Sequence, residues 1–424
     1  MYLFEENVLS LLKSIKFFSL LMLFTFFSTQ QSISANWVNS NSSEKPIERA
    51  SPSFFIPDDV WLAFEASDYD ARQTFCSDEF TRQRISNFMP NPIPKRVKGL
   101  NSRMDNRDAV EGFLELDTFT EQFASYLTAS FALQEDRSLN SAFEALYTLA
   151  SNGAWLDTKS CTKNGKMKDI CPPDWQDPNG QDLSQQKDWG ATQARIMHLH
   201  YGYQTFLGSQ VTSDSEKSDL INSWFDNFYS RNKKPQDIYF GLDLGWFWPE
   251  ISRHYHSNPS KSRKLVSKAV RQLDALILND GSLEDRTTRG NRALWYHHEA
   301  LGEIFITLEI ARHFDVTIPK KMEEKLKKSV SVFIEGIKDP ASLDKWAKKA
   351  VRSIYNPGEQ KFKFRHDVGQ LSWANSWFYI FMARNAGHEL TEELKRFLAG
   401  NYENAKMDGM VGIGLGCIYG PSIK

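Results

Sequence analysis

Glycine and proline are sparse, 23 and 16 residues in a chain of 424, which excludes a collagenous or low-complexity protein. Neither sign of charge dominates: 51 basic side chains stand against 53 acidic ones, a formal net charge of −2. The basic excess of a general nucleic-acid binder is therefore missing, and no nucleic-acid partner is expected. The four cysteines show no CxxC or Cys/His ligand spacing, so a zinc site has no support. Long hydrophobic runs are lacking too. The most apolar stretch, Phe17 to Phe27, is about 11 residues, short of the roughly 20 that a membrane-spanning helix needs. Aromatic residues, by contrast, are plentiful, with 12 Trp, 14 Tyr and 30 Phe. They suit a thick helical core or a groove with stacking platforms, and composition alone does not choose.

The short apolar run follows Lys13 and Lys16 and precedes the small and polar residues Ser28 to Ala35, the pattern of a signal peptide. The sequence thus divides into a signal peptide over 1–35, an extended lead-in over 36–60 rich in Asn, Ser and Pro, and one domain over 61–424. An uncleaved anchor is the alternative, and Glu5 and Glu6 fit a signal peptide poorly. The expectation is a periplasmic or secreted protein, monomeric and free of the membrane after cleavage. Cysteine placement agrees with an oxidising compartment. Cys161 and Cys171 bracket a polar loop that a disulfide would close, and Cys76 and Cys417 would join the two ends of the exported chain.

From about residue 107 the apolar residues recur at three- and four-residue intervals, over 107–133, 139–150, 188–208, 215–230, 262–279, 291–314, 321–337 and 366–385. Breakers such as Ser151-Asn152-Gly153, Asn279-Asp280-Gly281 and Asp339-Pro340 separate them. Strand alternation is scarce, and 157–186 is a long polar insertion. Helical hairpins around an axis, an all-α incomplete α/α toroid, are the expected fold. A solenoid would show a fixed repeat of ~34–47 residues with recurring signature positions, and none is found.

One segment concentrates polar chemistry: Asp280-Gly-Ser-Leu-Glu-Asp-Arg-Thr-Thr-Arg289-Gly-Asn-Arg292-Ala-Leu-Trp-Tyr296-His297-His-Glu299. With Arg289 on the first turn of a helix, Arg289, Arg292, Tyr296 and Glu299 share one face. Guanidiniums beside a phenol favour its anionic form. From spacing alone, a buried-edge helix carrying one Tyr and two solvated arginines is the favoured reading.

Gly281-Ser-Leu-Glu through Arg289-Gly-Asn-Arg-Ala-Leu-Trp-Tyr-His297 resembles the signature helix of the alginate lyases of polysaccharide lyase family 5, approximately G-x-L-x-x-E-x-x-R-G-x-R-A-L-x-Y-H. Weaker likeness extends through Gly336 to Leu343 and to Lys98-Gly-Leu-Asn-Ser-Arg103, where that family has a basic lid loop. The resemblance implies an incomplete α/α toroid and β-elimination on an anionic uronate polysaccharide, mannuronate-rich alginate first. It gives Tyr296 the base and acid role and Arg289 the supporting one. Arg292 and His297 fall on further signature positions as substrate or supporting contacts. Lys98, Arg103, His198 and Trp246 complete the expected substrate-binding set. No cofactor and no metal are required by such chemistry.

The likeness has a gap. The family carries an Asn-Asn-His segment about 54 residues before its Tyr, where Asn and His neutralise the substrate carboxylate, whereas this chain reads Gln236-Asp-Ile-Tyr-Phe-Gly-Leu-Asp243-Leu-Gly-Trp246. Three readings follow: another histidine on a neighbouring helix (His198, His200, His254 or His256) takes the task, the substrate or its binding mode differs, or catalysis is lost. Basic and aromatic residues at Lys361 to Asp367, and Trp248, Trp295, Trp373 and Trp377, are further groove candidates, with most tryptophans expected in the core. Two other functions remain open from sequence. An α/α-toroid glycoside hydrolase would need a carboxylate pair among Asp243, Glu250, Glu284, Asp285 and Glu299. A non-catalytic toroid would bind an exopolysaccharide.

Overall fold

The computed structural model describes residues 55–76, 84–100, 110–163, 165–169, 187–207, 214–230, 244–255, 257–349, 374–401 and 411–423. The chain divides into two units, Met1–Pro46 and Ile47–Lys424. The first unit, which holds the expected signal peptide, lies outside the described residues. The expected lead-in over 36–60 ends early: Phe55 and Ile56 are fully buried, and a helix begins at Asp58. Aromatic and branched side chains need a core to enter, and here the core reaches back to take them.

Among the described residues five helical hairpins follow one another. They pair α3 (Phe113–Ala132) with α4 (Asp136–Ser151), α5 (Lys187–Gly202) with α6 (Ser215–Tyr229), and α7 (Leu244–His254) with α8 (Pro259–Leu276). Then come α9 (Ala293–His313) with α10 (Lys320–Lys338), and α12 (Ser376–Arg384) with α13 (Glu389–Asn401). Two short helices, α1 (Asp58–Glu65) and α2 (Tyr69–Cys76), precede them, α11 (Asp344–Ala347) lies between the last two pairs, and α14 (Leu415–Tyr419) ends the series. First members pack on first members and second on second: α3 on α5, α5 on α7, α9 on α12; α4 on α6, α10 on α13. Trp248 on α7 donates its indole N–H to Thr307 on α9 at 3.0 Å, linking the inner ring there. This alternation of inner and outer helices is the α/α toroid.

Sequence decides which helix goes inside. α9 is apolar nearly all round and buries residues on every face, including Leu301, Ile304, Ile306, Leu308 and Ile310. α8 is amphipathic: Val266, Ala269, Val270 and Leu273 are buried, while Lys261, Lys264 and Arg271 face water. Its start is set by Pro259 at the first turn and by the Asn258 side chain, which accepts the Lys261 N–H at 3.1 Å. The polar insertion yields a small hairpin, β1 (Cys161–Lys163) antiparallel to β2 (Lys166–Lys168).

Beyond α12 the chain returns to its beginning. α14 packs on α1, α2, α3 and α12. The expected Cys76–Cys417 disulfide is present and joins α2 to α14 across a sequence separation of 341. Cys161 is disulfide-bonded as well; Cys171, its expected partner, lies outside the described residues. A buried carboxylate reinforces the closure. Glu309 on α9 accepts from Tyr419 on α14 at 2.5 Å, from Arg384 on α12 at 2.6 Å and from Arg312 at 2.5 Å. Arg384 reaches on to Asp59 on α1.

Since the disulfide restricts the unfolded chain over a long loop, the Cys76→Ser/Cys417→Ser double variant is expected to lose ~2–5 kcal/mol of unfolding free energy. Denaturant unfolding of variant and wild type checks this without disturbing Cys161.

Candidate active site

A tight reversal after α8 starts the site. Leu278 donates its N–H to the Ser282 carbonyl at 2.9 Å, and Glu284 donates to Leu276 at 3.0 Å. Gly281 is the residue this reversal demands. Its φ is +84°, and a Cβ would come within 2.7 Å of the Lys328 backbone on α10. The turn residues 283–289 then lead into a 3-10 turn, Gly290–Arg292, before α9 begins at Ala293. Arg289 therefore precedes the helix instead of lying on its first turn, and the expected straight helical face begins only at Tyr296 and Glu299.

The structure nevertheless brings Arg289 to Tyr296. Its guanidinium carbon lies 4.5 Å from the centroid of the Tyr296 ring. Asp285, itself at φ +60°, holds that guanidinium twice, accepting from Nε at its carbonyl (2.6 Å) and from Nη2 at its carboxylate (2.9 Å). A second guanidinium, Arg286, was not singled out by the sequence reading. It lies 5.4 Å from the same ring centroid and pairs through Nη1 with Glu299 at 3.3 Å. Arg286 stands at the sixth position of the signature, where the family pattern has Glu, and that charge reversal was the available signal. Tyr296 is half-buried, with Trp295 beside it at 4.8 Å between ring centroids. Two guanidiniums thus approach one aromatic ring, each paired with its own carboxylate, so the arginine charges are balanced locally.

His297 is placed differently from a substrate contact. It is fully buried, with Nδ1 2.8 Å from the Thr287 hydroxyl and Nε2 2.9 Å from the Ser329 carbonyl. The carbonyl only accepts, so Nε2 carries the proton, and Thr287 donates to Nδ1. The same hydroxyl oxygen accepts the Leu283 N–H at 2.8 Å. His297 thus ties the 283–289 turn to α9 and α10, and both of its ring nitrogens are spent. Of the two roles expected for it, substrate contact or supporting contact, these bonds are those of a supporting one. Arg292 is exposed and open to an anionic ligand.

Lys98 is half-buried and donates its backbone N–H to Glu111 at 3.1 Å. The expected basic rim around it is partly consumed, since Arg96 pairs with Glu111 at 2.7 Å and Lys95 binds the Asn152 carbonyl. Next to it, Gly99 and Leu100 donate backbone N–H groups to the buried carboxylate of Asp188 at 3.2 and 2.7 Å. Burial pushes that carboxyl upward against these bonds and the one from Thr162. His198 on α5 is buried against Gly412, where an added Cβ would approach its Cβ to 2.3 Å. Neither Lys98 nor His198 takes part in the contacts that hold Tyr296 described above. Arg103, the side chain of Trp246, Trp373, His256, residues 361–367 and the 231–243 stretch with its missing Asn-His lie outside the described residues. Trp248 and Trp377 are core residues, buried to 2% and 0% exposure, and so not stacking platforms. His200 is enclosed with Tyr229, Ser252 and Gln204, and His254 bonds Glu250 at 3.5 Å.

Burial holds His297 down to about 4, against an ordinary value of 6.5 and against the Ser329 carbonyl, which favours the protonated form. The folded chain therefore refuses a proton that the unfolded chain accepts. Stability from this site is complete above pH 6.5 and falls as the pH drops toward about 4. The expected loss is on the order of 3 kcal/mol. Denaturant unfolding across that range checks it, with His297→Gln expected to lose this part of the slope.

Residues 259–343 match the family model described as alginate lyase. No curated protein matches the chain in sequence. Among solved structures, a Tyr-to-Phe variant of alginate lyase A1-III complexed with tetrasaccharide aligns at TM-score 0.57 and 13% identity, covering 86% of this chain and 94% of that one. A His-to-Ala variant, also complexed with tetrasaccharide, aligns at TM-score 0.51 and 12% identity over 78% and 87%. Alginate lyase A1-III from Sphingomonas species A1 aligns at 0.52 and 14% over 80% and 89%. At such identities the structures establish the shared toroid, and the matched segment is the one that carries Arg286, Arg289 and Tyr296. Residues 259–343 are thus similar to the alginate lyase family, and the fold around them is the toroid that alginate lyase A1-III also has.

Proposed function

We propose that the protein cleaves a uronate polymer, mannuronate-rich alginate first, by β-elimination at Tyr296, as a monomer exported to the periplasm or beyond. The carrying observation is the Tyr296 ring held beside two guanidiniums, with Arg289 at 4.5 Å. In the reaction the phenolate oxygen of Tyr296 takes the C5 proton, the C4–O4 bond breaks, and a C4=C5 double bond forms in conjugation with the carboxylate. The phenol then returns its proton to O4 of the departing sugar, so one residue serves as base and acid in turn. Charge that develops during the step is stabilised by cations already in place, Arg289 and Arg286 at the ring and Arg292 at the exposed edge.

Two features support this reading over hydrolysis. Asp285 and Glu299, the carboxylates that partner the two arginines at the Tyr296 ring, are each bound to an arginine, and the remaining acid of the turn, Glu284, is exposed. A hydrolase needs one carboxylate free to protonate the leaving group. The tetrasaccharide complexes of alginate lyase A1-III, captured in a tyrosine variant and a histidine variant, support a role for tyrosine and an oligosaccharide ligand.

The test follows ultraviolet absorbance of the unsaturated product on polymannuronate, polyguluronate, glucuronan and hyaluronan. Wild type is expected to produce it on polymannuronate, and Tyr296→Phe to be slower by ~10²–10⁴-fold. Absorbance that survives the substitution would remove Tyr296 from the role. New reducing ends without absorbance would identify a hydrolase instead.

A further inference from the structure

Arg286 has more hydrogen-bonding capacity than its surroundings use. Its side chain is 2% exposed, and Nη1 takes Glu299 at 3.3 Å. Nε and Nη2 are both buried with no hydrogen-bond partner among the described residues. In a guanidinium, Nε–H and the outer Nη2–H point the same way and form one edge of the planar fork. That edge matches the two oxygens of a carboxylate. A buried cation with two unused donors is costly, and native structures rarely leave such groups unfilled without a reason. Here the unfilled edge belongs to a residue lying 5.4 Å from the Tyr296 ring centroid.

We infer that Arg286 is a carboxylate-binding residue whose Nε/Nη2 edge receives the carboxylate of the uronate being cleaved. The inference rests on the proposed lyase reading and supplies what that reading lacks, a neutraliser for the substrate carboxylate. Glu299 acts as the anchor. By holding Nη1 it turns the opposite edge free, and it balances the arginine charge until substrate arrives. Asp285 keeps Arg289 engaged at both Nε and Nη2, so the two arginines differ: one is filled by the protein, the other is not. Because the edge is buried in the unliganded chain, substrate entry requires side chains around Arg286 to move while Thr287 keeps the turn backbone in place.

The test uses the Tyr296→Phe protein, so that binding is read without turnover. Calorimetry gives the affinity for a mannuronate oligomer and for its methyl ester, which keeps the sugar shape and loses the charge. The acid is expected to bind more tightly than the ester, and Arg286→Gln to shrink that preference by about tenfold, the size of one charge-assisted fork. Arg286→Lys keeps the charge without the fork and is expected to shrink it severalfold, which preserves the test if the glutamine variant does not fold. An undiminished preference in a folded variant overturns the inference and leaves the lyase reading standing. So does an equal loss of affinity for acid and ester, which would mark Arg286 as a structural residue only. If the Tyr296→Phe protein binds neither ligand while Arg286 is intact, the uronate reading itself fails, and the inference with it.

Discussion

The Thr287 hydroxyl is the point on which the site hangs. It accepts the Leu283 N–H and donates to His297 Nδ1, while His297 Nε2 is fixed on the Ser329 carbonyl of α10. Three segments are pinned by this chain of bonds: the turn, the inner helix α9 and the outer helix α10. Arg286 and Arg289 stand on either side of Thr287, so their approach to Tyr296 depends on it. With a neutral imidazole Thr287 donates to Nδ1, whereas protonation would make both ring nitrogens donors and reverse that bond. Burial enforces that neutrality. A histidine within the signature thus acts by holding the backbone that delivers the arginines.

Charge balance is the second constraint. Two guanidiniums crowded onto one phenol would repel each other in a half-buried setting. Asp285 and Glu299 answer that repulsion locally, each partnering one arginine. The same design recurs in the ring closure, where Glu309 gathers Arg384, Arg312 and Tyr419. There Glu309 accepts from all three side chains and the cluster joins the ends of the ring. At Tyr296 one arginine edge is left over, and the difference between the two clusters is what sets the second apart as a place for an incoming anion.

Much of the fold was legible because helical periodicity is a long, redundant signal. The segments read as 139–150, 215–230 and 321–337 fall within two or three residues of Asp136–Ser151, Ser215–Tyr229 and Lys320–Lys338. Short elements were not: α1, α2 and α14 span only two turns or fewer, and their placement comes from the disulfide and the core instead of their own pattern. At the site, Tyr296 and Arg289 came from the signature. The fate of His297 did not, since a buried structural histidine and a substrate-binding one look alike in sequence. Arg286 was passed over because a turn has no period: which way its side chains point is set by Gly281 and Asp285 at positive φ, a backbone property that spacing does not report.

This separation of signals explains how a 13% identical chain can share the toroid while altering the site. Inner helices tolerate many apolar substitutions provided volume and burial are kept. The turn tolerates few, because Gly281 lies against α10 and Thr287 must reach His297. Within those limits the side chain at 286 can change charge, since Glu299 on the next helix face is there to pair with it. On the inference drawn for Arg286, an arginine at the turn would stand in for the Asn-His that the 236–246 stretch lacks. On the proposed reading, the positive charge beside a uronate carboxylate would come from the turn that already carries Arg289, next to Tyr296.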